Sequence, residues 1–117
     1  MTLNEYQEKA MTTCLLTSEN FGYMFLNMVG EVGEFASKVA KHIRKGKAVI
    51  HQNNLVVPAV SADEMQDLMK EAGDVLWQLS GLCTVMGWSL EEVGQQNLEK
   101  LASRKQRGVV DGNGDNR

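Results

Sequence analysis

The chain has 117 residues, of which 43% are apolar, and its 15 acidic and 12 basic side chains give a net charge of −3. This length suits one domain, residues 1–117, and the apolar content is too high for a disordered chain. The slight acidity argues against a nucleic-acid polymer as partner, because phosphate backbones demand clustered Lys and Arg, but it leaves a small phosphorylated ligand open. No apolar run approaches the roughly 18 to 20 residues that span a membrane, and the N-terminus lacks the apolar segment of a signal peptide. We therefore expect a cytoplasmic protein with no membrane partner, in which Cys14 and Cys83 are buried, reduced thiols.

The first two predicted helices fill the N-terminal part of the chain. Helix one covers about residues 3–16 and begins at a capping box, in which Thr2 precedes Glu5 by three positions. Helix two begins near Asn20 and ends before Gly46, with basic side chains in its last turns, where cations suit the helix dipole. Its apolar residues recur every three or four positions and predict a core face. They are Phe21, Phe25, Met28, Val32, Phe35, Val39 and Ile43.

The C-terminal part adds an insertion, two helices and a tail. Residues 46–60 hold the only Pro and several β-branched residues, so they are predicted to be non-helical: a loop, a short hairpin or a lid. Helix three covers about 62–86 and helix four about 90–106. The glycine-rich tail, 108–117, is predicted to be non-helical. The core face of helix three is predicted to consist of Met65, Leu68, Ala72, Val75, Leu79, Leu82 and Met86.

A polar stripe accompanies the apolar stripe on helices two and three. Glu31 and Glu34 are three residues apart, as are Glu71 and Asp74, so each pair shares one helical face. If the two helices pack antiparallel, the four carboxylates converge. Four anions at the margin of a core repel one another unless a cation or protons intervene. Carboxylate oxygens suit Mg²⁺ or Mn²⁺, so the pattern predicts a divalent metal site.

Glycines and bases complete the pattern. Gly30, Gly33 and Gly73 each precede one of the acids, although Gly inside a helix costs about 1 kcal/mol relative to Ala. They predict a close approach, either by another helix or by the phosphates of a ligand. The polar stripes also include basic and amide side chains, namely Asn27 and Lys38 on helix two and Asn97, Lys100, Arg104 and Arg107 on helix four.

Three ordered motifs together resemble a known family. The segments Glu31–Glu34, Glu71–Trp77 and Asn97–Arg104 resemble those of MazG-like nucleoside triphosphate pyrophosphohydrolases, and the ending Gly114–Arg117 resembles one branch of them. The resemblance implies an all-α four-helix bundle completed by oligomerisation, as a homodimer or homotetramer. It implies Mg²⁺-dependent hydrolysis of (deoxy)nucleoside triphosphates between the α and β phosphates, with Mn²⁺ as a possible substitute. The products would be monophosphate and pyrophosphate.

The resemblance also assigns roles to individual residues. Glu31, Glu34, Glu71 and Asp74 would hold the metal, and Glu34 is the candidate general base. The substrate-binding candidates are Asn27, Lys38, Asn97, Lys100, Arg104 and Arg117. Two alternatives stay open: a non-catalytic nucleotide- or partner-binding module with a structural metal cluster, and an enzyme that resembles phosphoribosyl-ATP pyrophosphohydrolase.

Overall fold

Four helices and one hairpin make up the chain. The computed structural model describes all of residues 1–117. The helices are α1 (Leu3–Met11), α2 (Phe21–Arg44), α3 (Ala62–Val85) and α4 (Leu90–Arg107), and strands β1 (Val49–His51) and β2 (Asn54–Val56) lie between α2 and α3. The all-α fold class is confirmed. None of these helices combines the length and the apolar content that crossing a bilayer requires.

Helix α1 is shorter than the sequence predicts. It starts at the expected capping box, but it ends at Met11 and not near residue 16. The hydroxyls of Thr12 and Thr13 donate to the carbonyl oxygens of Lys9 and Ala10, so side chains compete with the backbone for the last helical acceptors. A single 3₁₀ turn, Leu16–Ser18, then leads to the Asn20 side chain, which caps α2 by accepting from the backbone N–H of Tyr23.

Helices α2 and α3 pack antiparallel and form the main interface of the molecule. Asn27 contacts Gln78 near one end of this interface, and His42 lies beside Glu64 near the other. At the first end, fully buried Met24 fills the space left by Gly81, where a Cβ would overlap the Met24 sulfur. This packing sets the register of the polar stripes on the two helices.

The predicted core faces lie largely on the surface of the single chain. Phe21, Phe25, Val32 and Ile43 are all at least 40% exposed, although Leu68 is buried as expected. The predicted core face of α2 is therefore buried only in part within one chain, where three of its seven residues are half-buried, because α3 contacts the side of α2 that carries Asn27 and the acids. Cys83 is buried and Cys14 is half-buried, and both are free thiols.

The insertion forms the hairpin that was one of the predicted alternatives. Strands β1 and β2 pair antiparallel with Val49 opposite Val56. Gln52 and Asn53 make the two-residue turn, with φ values of 49° and 65°, as a type I′ turn requires. At its base the hairpin is tied to α3, where the Lys47 ammonium lies 2.8 Å from the Glu64 carboxylate, and to α2, where the Lys47 N–H donates to the His42 carbonyl.

Helix α4 packs mainly against α1. Gln7 of α1 joins the two, since its amide nitrogen donates to the Trp88 carbonyl and its amide oxygen accepts from the Leu90 N–H. Gly108 ends α4 in the left-handed conformation, with φ 71°, and the non-helical tail folds back along the helix.

Candidate active site

Three carboxylates meet at the interface of α2 and α3. One oxygen from each of Glu31, Glu34 and Glu71 lies within 4.8 Å of the others. The i, i+3 spacing of the first two places both on the side of α2 that faces α3, and antiparallel packing brings Glu71 opposite them. Glu71 is buried, Glu31 is half-buried and Glu34 is exposed, so the cluster opens to solvent on one side.

Two oxygens of this cluster are buried without a partner. Oε2 of Glu31 and Oε2 of Glu71 accept no hydrogen bond from the protein. Burial raises the pKa of Glu31, and the neighbouring charges of Glu34 and Asp74 raise it further. Buried carboxylate oxygens left in this way are costly unless a cation pairs with them. The donor set of hard oxygens fits Mg²⁺ or Mn²⁺.

Asp74 lies beside the cluster without joining the group of three. Its charge raises the pKa of Glu31 and also that of the Tyr6 phenol, for which burial is the larger cause. Asp74 therefore faces both α2 and α1. The side chain is exposed, so it borders the open side of the site.

Lys38 and Asn27 flank the carboxylates along α2. The Lys38 ammonium lies 2.5 Å from Oε1 of Glu71, and this contact raises the pKa of Lys38. The Asn27 amide nitrogen donates to Glu31 at 3.3 Å and to Gln78 at 2.9 Å. Gln78, which is 1% exposed, also donates to the Met24 carbonyl. Asn27 thus belongs to a buried network that positions Glu31.

The candidate residues of α4 and the tail lie elsewhere in the single chain. The guanidinium of Arg104 is 2.9 Å from the Asp115 carboxylate, and the Lys100 ammonium is 3.2 Å from it. These contacts lower the pKa of Asp115. Arg117 donates to backbone carbonyls, including that of Val109. Asn97 is exposed and shares a cleft with Lys100 and Trp88. The charges that shift the pKa of Glu31 come from α2 and α3 alone.

Comparison with known proteins identifies the family. The family model for the MazG nucleotide pyrophosphohydrolase domain matches residues 20–109. The chain belongs to this family. It is also 42% identical over 99 residues to the Gene 37 protein of Mycobacterium phage L5, an alignment that covers 85% of this chain and 78% of that protein. No solved structure matches the chain significantly.

The residues matched by the MazG domain model contain the carboxylate cluster and all of α4. This match supports a nucleotide pyrophosphohydrolase type of activity. The match ends at residue 109, so the part of the tail with Asp115 and Arg117 lies outside it.

Sequence reasoning missed two features of this MazG domain. One is the contact of Asp115 with the two bases of α4, which depends on a fold-back that no periodicity encodes. The other is the burial of Gln78, which depends on how α2 and α3 pack. The glycines of the tail were the available signal for the first, since a chain with Gly114 at φ 74° can reverse direction.

Proposed function

We propose that the chain hydrolyses (deoxy)nucleoside triphosphates between the α and β phosphates and releases monophosphate and pyrophosphate. The observation that carries this proposal is the convergence of three carboxylates, two of them with buried, unpartnered oxygens, in a chain of the MazG family. Glu31, Glu34, Glu71 and Asp74 would hold the divalent metal, Mg²⁺ or Mn²⁺. A divalent ion bound there supplies positive charge that offsets the triphosphate and lowers the pKa of the attacking water.

The protein side chains supply the remaining steps. The water oxygen forms a bond to the α phosphorus as the bond from that phosphorus to the bridging oxygen breaks, and the electron pair leaves with pyrophosphate. Glu34 is the most exposed of the three clustered carboxylates, and it would accept the proton of this water. Lys38 stands next to the cluster and balances the negative charge that develops on the leaving phosphates.

We also propose that a second copy of the chain completes the site. Helix α4 packs on α1, while an apolar cavity of about 350 Å³ is open on the outer side of α2 and α3. It is lined by Val32, Phe35, Ala36, Ala72 and Val75. A homodimer or homotetramer would cover this surface, and it would let Asn97, Lys100 and Arg104 of one copy approach the carboxylates of another.

A substrate screen tests the reaction. The protein is incubated with Mg²⁺ and each common nucleoside or deoxynucleoside triphosphate, with phosphoribosyl-ATP as a further substrate, and the products are separated by ion-exchange chromatography. We expect at least one triphosphate to give its monophosphate, and we expect EDTA to stop the reaction. No turnover of any nucleotide, or equal turnover in EDTA, would overturn the proposal.

A further inference from the structure

A polar cleft continues from the carboxylate cluster towards the end of α2. Lys38, which contacts Glu71, lies at the side of the cleft next to the cluster. Lys41, His42 and Lys45 follow at the spacing of one helical face. The cleft has a volume of about 180 Å³, and no hydrophobic residue lines it. Its lining is Lys38, Lys41, His42, Lys45, Glu64 and Asp67.

The two carboxylates of the cleft already have cationic partners outside it. Glu64 pairs with Lys47 at 2.8 Å, and Asp67 lies 3.7 Å from Lys70. The ammonium groups of Lys41 and Lys45 have no carboxylate within 4.0 Å. The cleft therefore presents two uncompensated cations, and Lys38 links it to the cluster.

A polar, cationic cleft of this size favours a compact polyanion over a nucleobase, which would need an apolar or aromatic surface. The position of the cleft beside the carboxylate cluster indicates which polyanion it would bind. Hydrolysis at the α phosphorus needs that atom near the carboxylates, and β and γ phosphates that extend from it along α2 would enter the cleft. The cleft begins at Lys38, one to two helical turns before Lys41 and Lys45.

We propose that Lys41 and Lys45, with Lys38, bind the β and γ phosphates of the substrate and then the pyrophosphate that leaves. This inference rests on the proposed function for its place in the reaction, but pyrophosphate binding can be measured without turnover. The competing explanation is that these lysines only stabilise the C-terminal end of α2, where the helix dipole is negative. Arg44 lies in the same last turn but outside the cleft, so it separates the two explanations.

The test is calorimetric binding of inorganic pyrophosphate, in Mg²⁺, to the wild type, to Lys41→Gln/Lys45→Gln and to the matched control Arg44→Gln. We expect the double variant to bind pyrophosphate about tenfold or more weakly, because charge-assisted hydrogen bonds to phosphate are lost, while Arg44→Gln stays at wild-type affinity. Binding of a nucleoside monophosphate should change less than twofold in all three. The variant Lys41→Arg/Lys45→Arg should retain pyrophosphate binding, since it keeps both charges.

Each outcome bears on one of the two proposals. Wild-type pyrophosphate affinity in the double variant, or equal weakening in Arg44→Gln, would overturn the cleft as a phosphate site. Loss of helical circular dichroism in both double variants would do the same, because it would make the lysines structural. Lysine-dependent pyrophosphate binding by a protein that turns over no triphosphate would support the cleft and overturn the proposed reaction.

Discussion

Among the individual residues of the carboxylate cluster, one side chain is buried and another is open to solvent. Glu71 is 7% exposed and keeps an unpartnered oxygen, whereas Glu34 is exposed. A purely structural ion-pair network would satisfy its buried oxygens within the protein. The unpartnered oxygens therefore favour a bound cation over an ion-pair network within the protein.

Removing one carboxylate charge in or beside the cluster should stop the reaction without unfolding the chain. We expect Glu34→Gln and Asp74→Asn to lower kcat by at least about 100-fold, more than the loss of an outer-shell partner to a metal ligand usually costs. Helical circular dichroism should remain that of the wild type. Glu99→Gln, on the exposed face of α4, is the matched control and should keep full activity. Collapse of the fold in the first two variants would instead favour the structural-cluster alternative.

The Lys47–Glu64 pair predicts how stability depends on acid. Lys47 chiefly, and then the Ser61 backbone N–H, lower the pKa of Glu64 from its ordinary value of 4.5 to about 2. Because the folded-state pKa is the lower one, the pair stabilises the fold above pH 4.5, and this contribution is lost as the pH falls towards 2. Urea unfolding from pH 7 to 2 should show Glu64→Gln less stable than the wild type at neutral pH, with a difference that shrinks steadily as the pH falls to 2. Gln preserves the capping box, in which the Ser61 and Glu64 side chains each accept from the other residue's backbone N–H. A constant difference across the pH range would contradict the assignment.

At the scale of elements, periodicity and capping residues predicted the helices well. The capping box predicted at Thr2 is present, and α2 and α3 end within a residue or two of the predicted positions. The end of α1 was predicted wrongly because two threonine hydroxyls compete for its last carbonyls. Which side of α2 faces α3 could not be predicted either, since an apolar stripe identifies a surface to be covered and does not name the element that covers it.

The glycines of α2 and α3 fall into two groups: packing within the chain explains one group and does not explain the other. A Cβ at Gly33 or Gly73 would meet no atom within 4 Å, so contacts inside one chain do not explain these two glycines. At Gly81 a Cβ would collide with buried Met24. Among the glycines of α2 and α3, only Gly81 lies where a Cβ would overlap another side chain.

Alanine substitutions at Gly33 and Gly81 should therefore change the stability of the fold in opposite directions. We expect Gly33→Ala to stabilise the helix by up to about 1 kcal/mol and to weaken turnover if phosphates or a second copy approach there. Gly81→Ala should destabilise, because overpacking costs about 1–3 kcal/mol. Thermal unfolding and triphosphate kinetics on the two variants measure both effects. A stabilised Gly81→Ala, or a Gly33→Ala variant with wild-type kinetics, would contradict the respective explanation.

The basic residues of α4 show how far sequence can locate a site. Their spacing predicted a shared face, and Lys100 and Arg104 do share one, since both contact Asp115. The sequence could not show that α4 packs on α1, away from the carboxylates, because that depends on side-chain contacts such as those of Gln7. In the single chain the Asp115 carboxylate pairs with Lys100 and Arg104, as a phosphate could.

At the scale of the whole molecule, the chain is more extended than a self-contained domain. Its radius of gyration is 17.4 Å, against about 13 Å for a compact chain of roughly 100 residues. Many large apolar side chains are exposed, among them Phe21, Phe25 and Val32 on α2. An exposed apolar surface on this scale is typical of a protomer that buries it against another chain.

The oligomer and the site can be tested together. Light scattering should give a dimer or a tetramer. Mixing Glu71→Gln with Lys100→Gln, each inactive alone, should restore part of the activity, because a mixed oligomer contains sites with intact carboxylates from one copy and intact α4 from the other. A fully active monomer, or no recovery after confirmed subunit exchange, would contradict a site built from two copies.

The position of the cleaved bond tests the proposed reaction most directly. Phosphorus NMR of a turned-over triphosphate with Mg²⁺ should show nucleoside monophosphate and pyrophosphate in equal amounts, and neither should form with Glu71→Gln. Diphosphate with orthophosphate, or the same products from Glu71→Gln at the wild-type rate, would contradict hydrolysis at the α phosphorus by this carboxylate cluster.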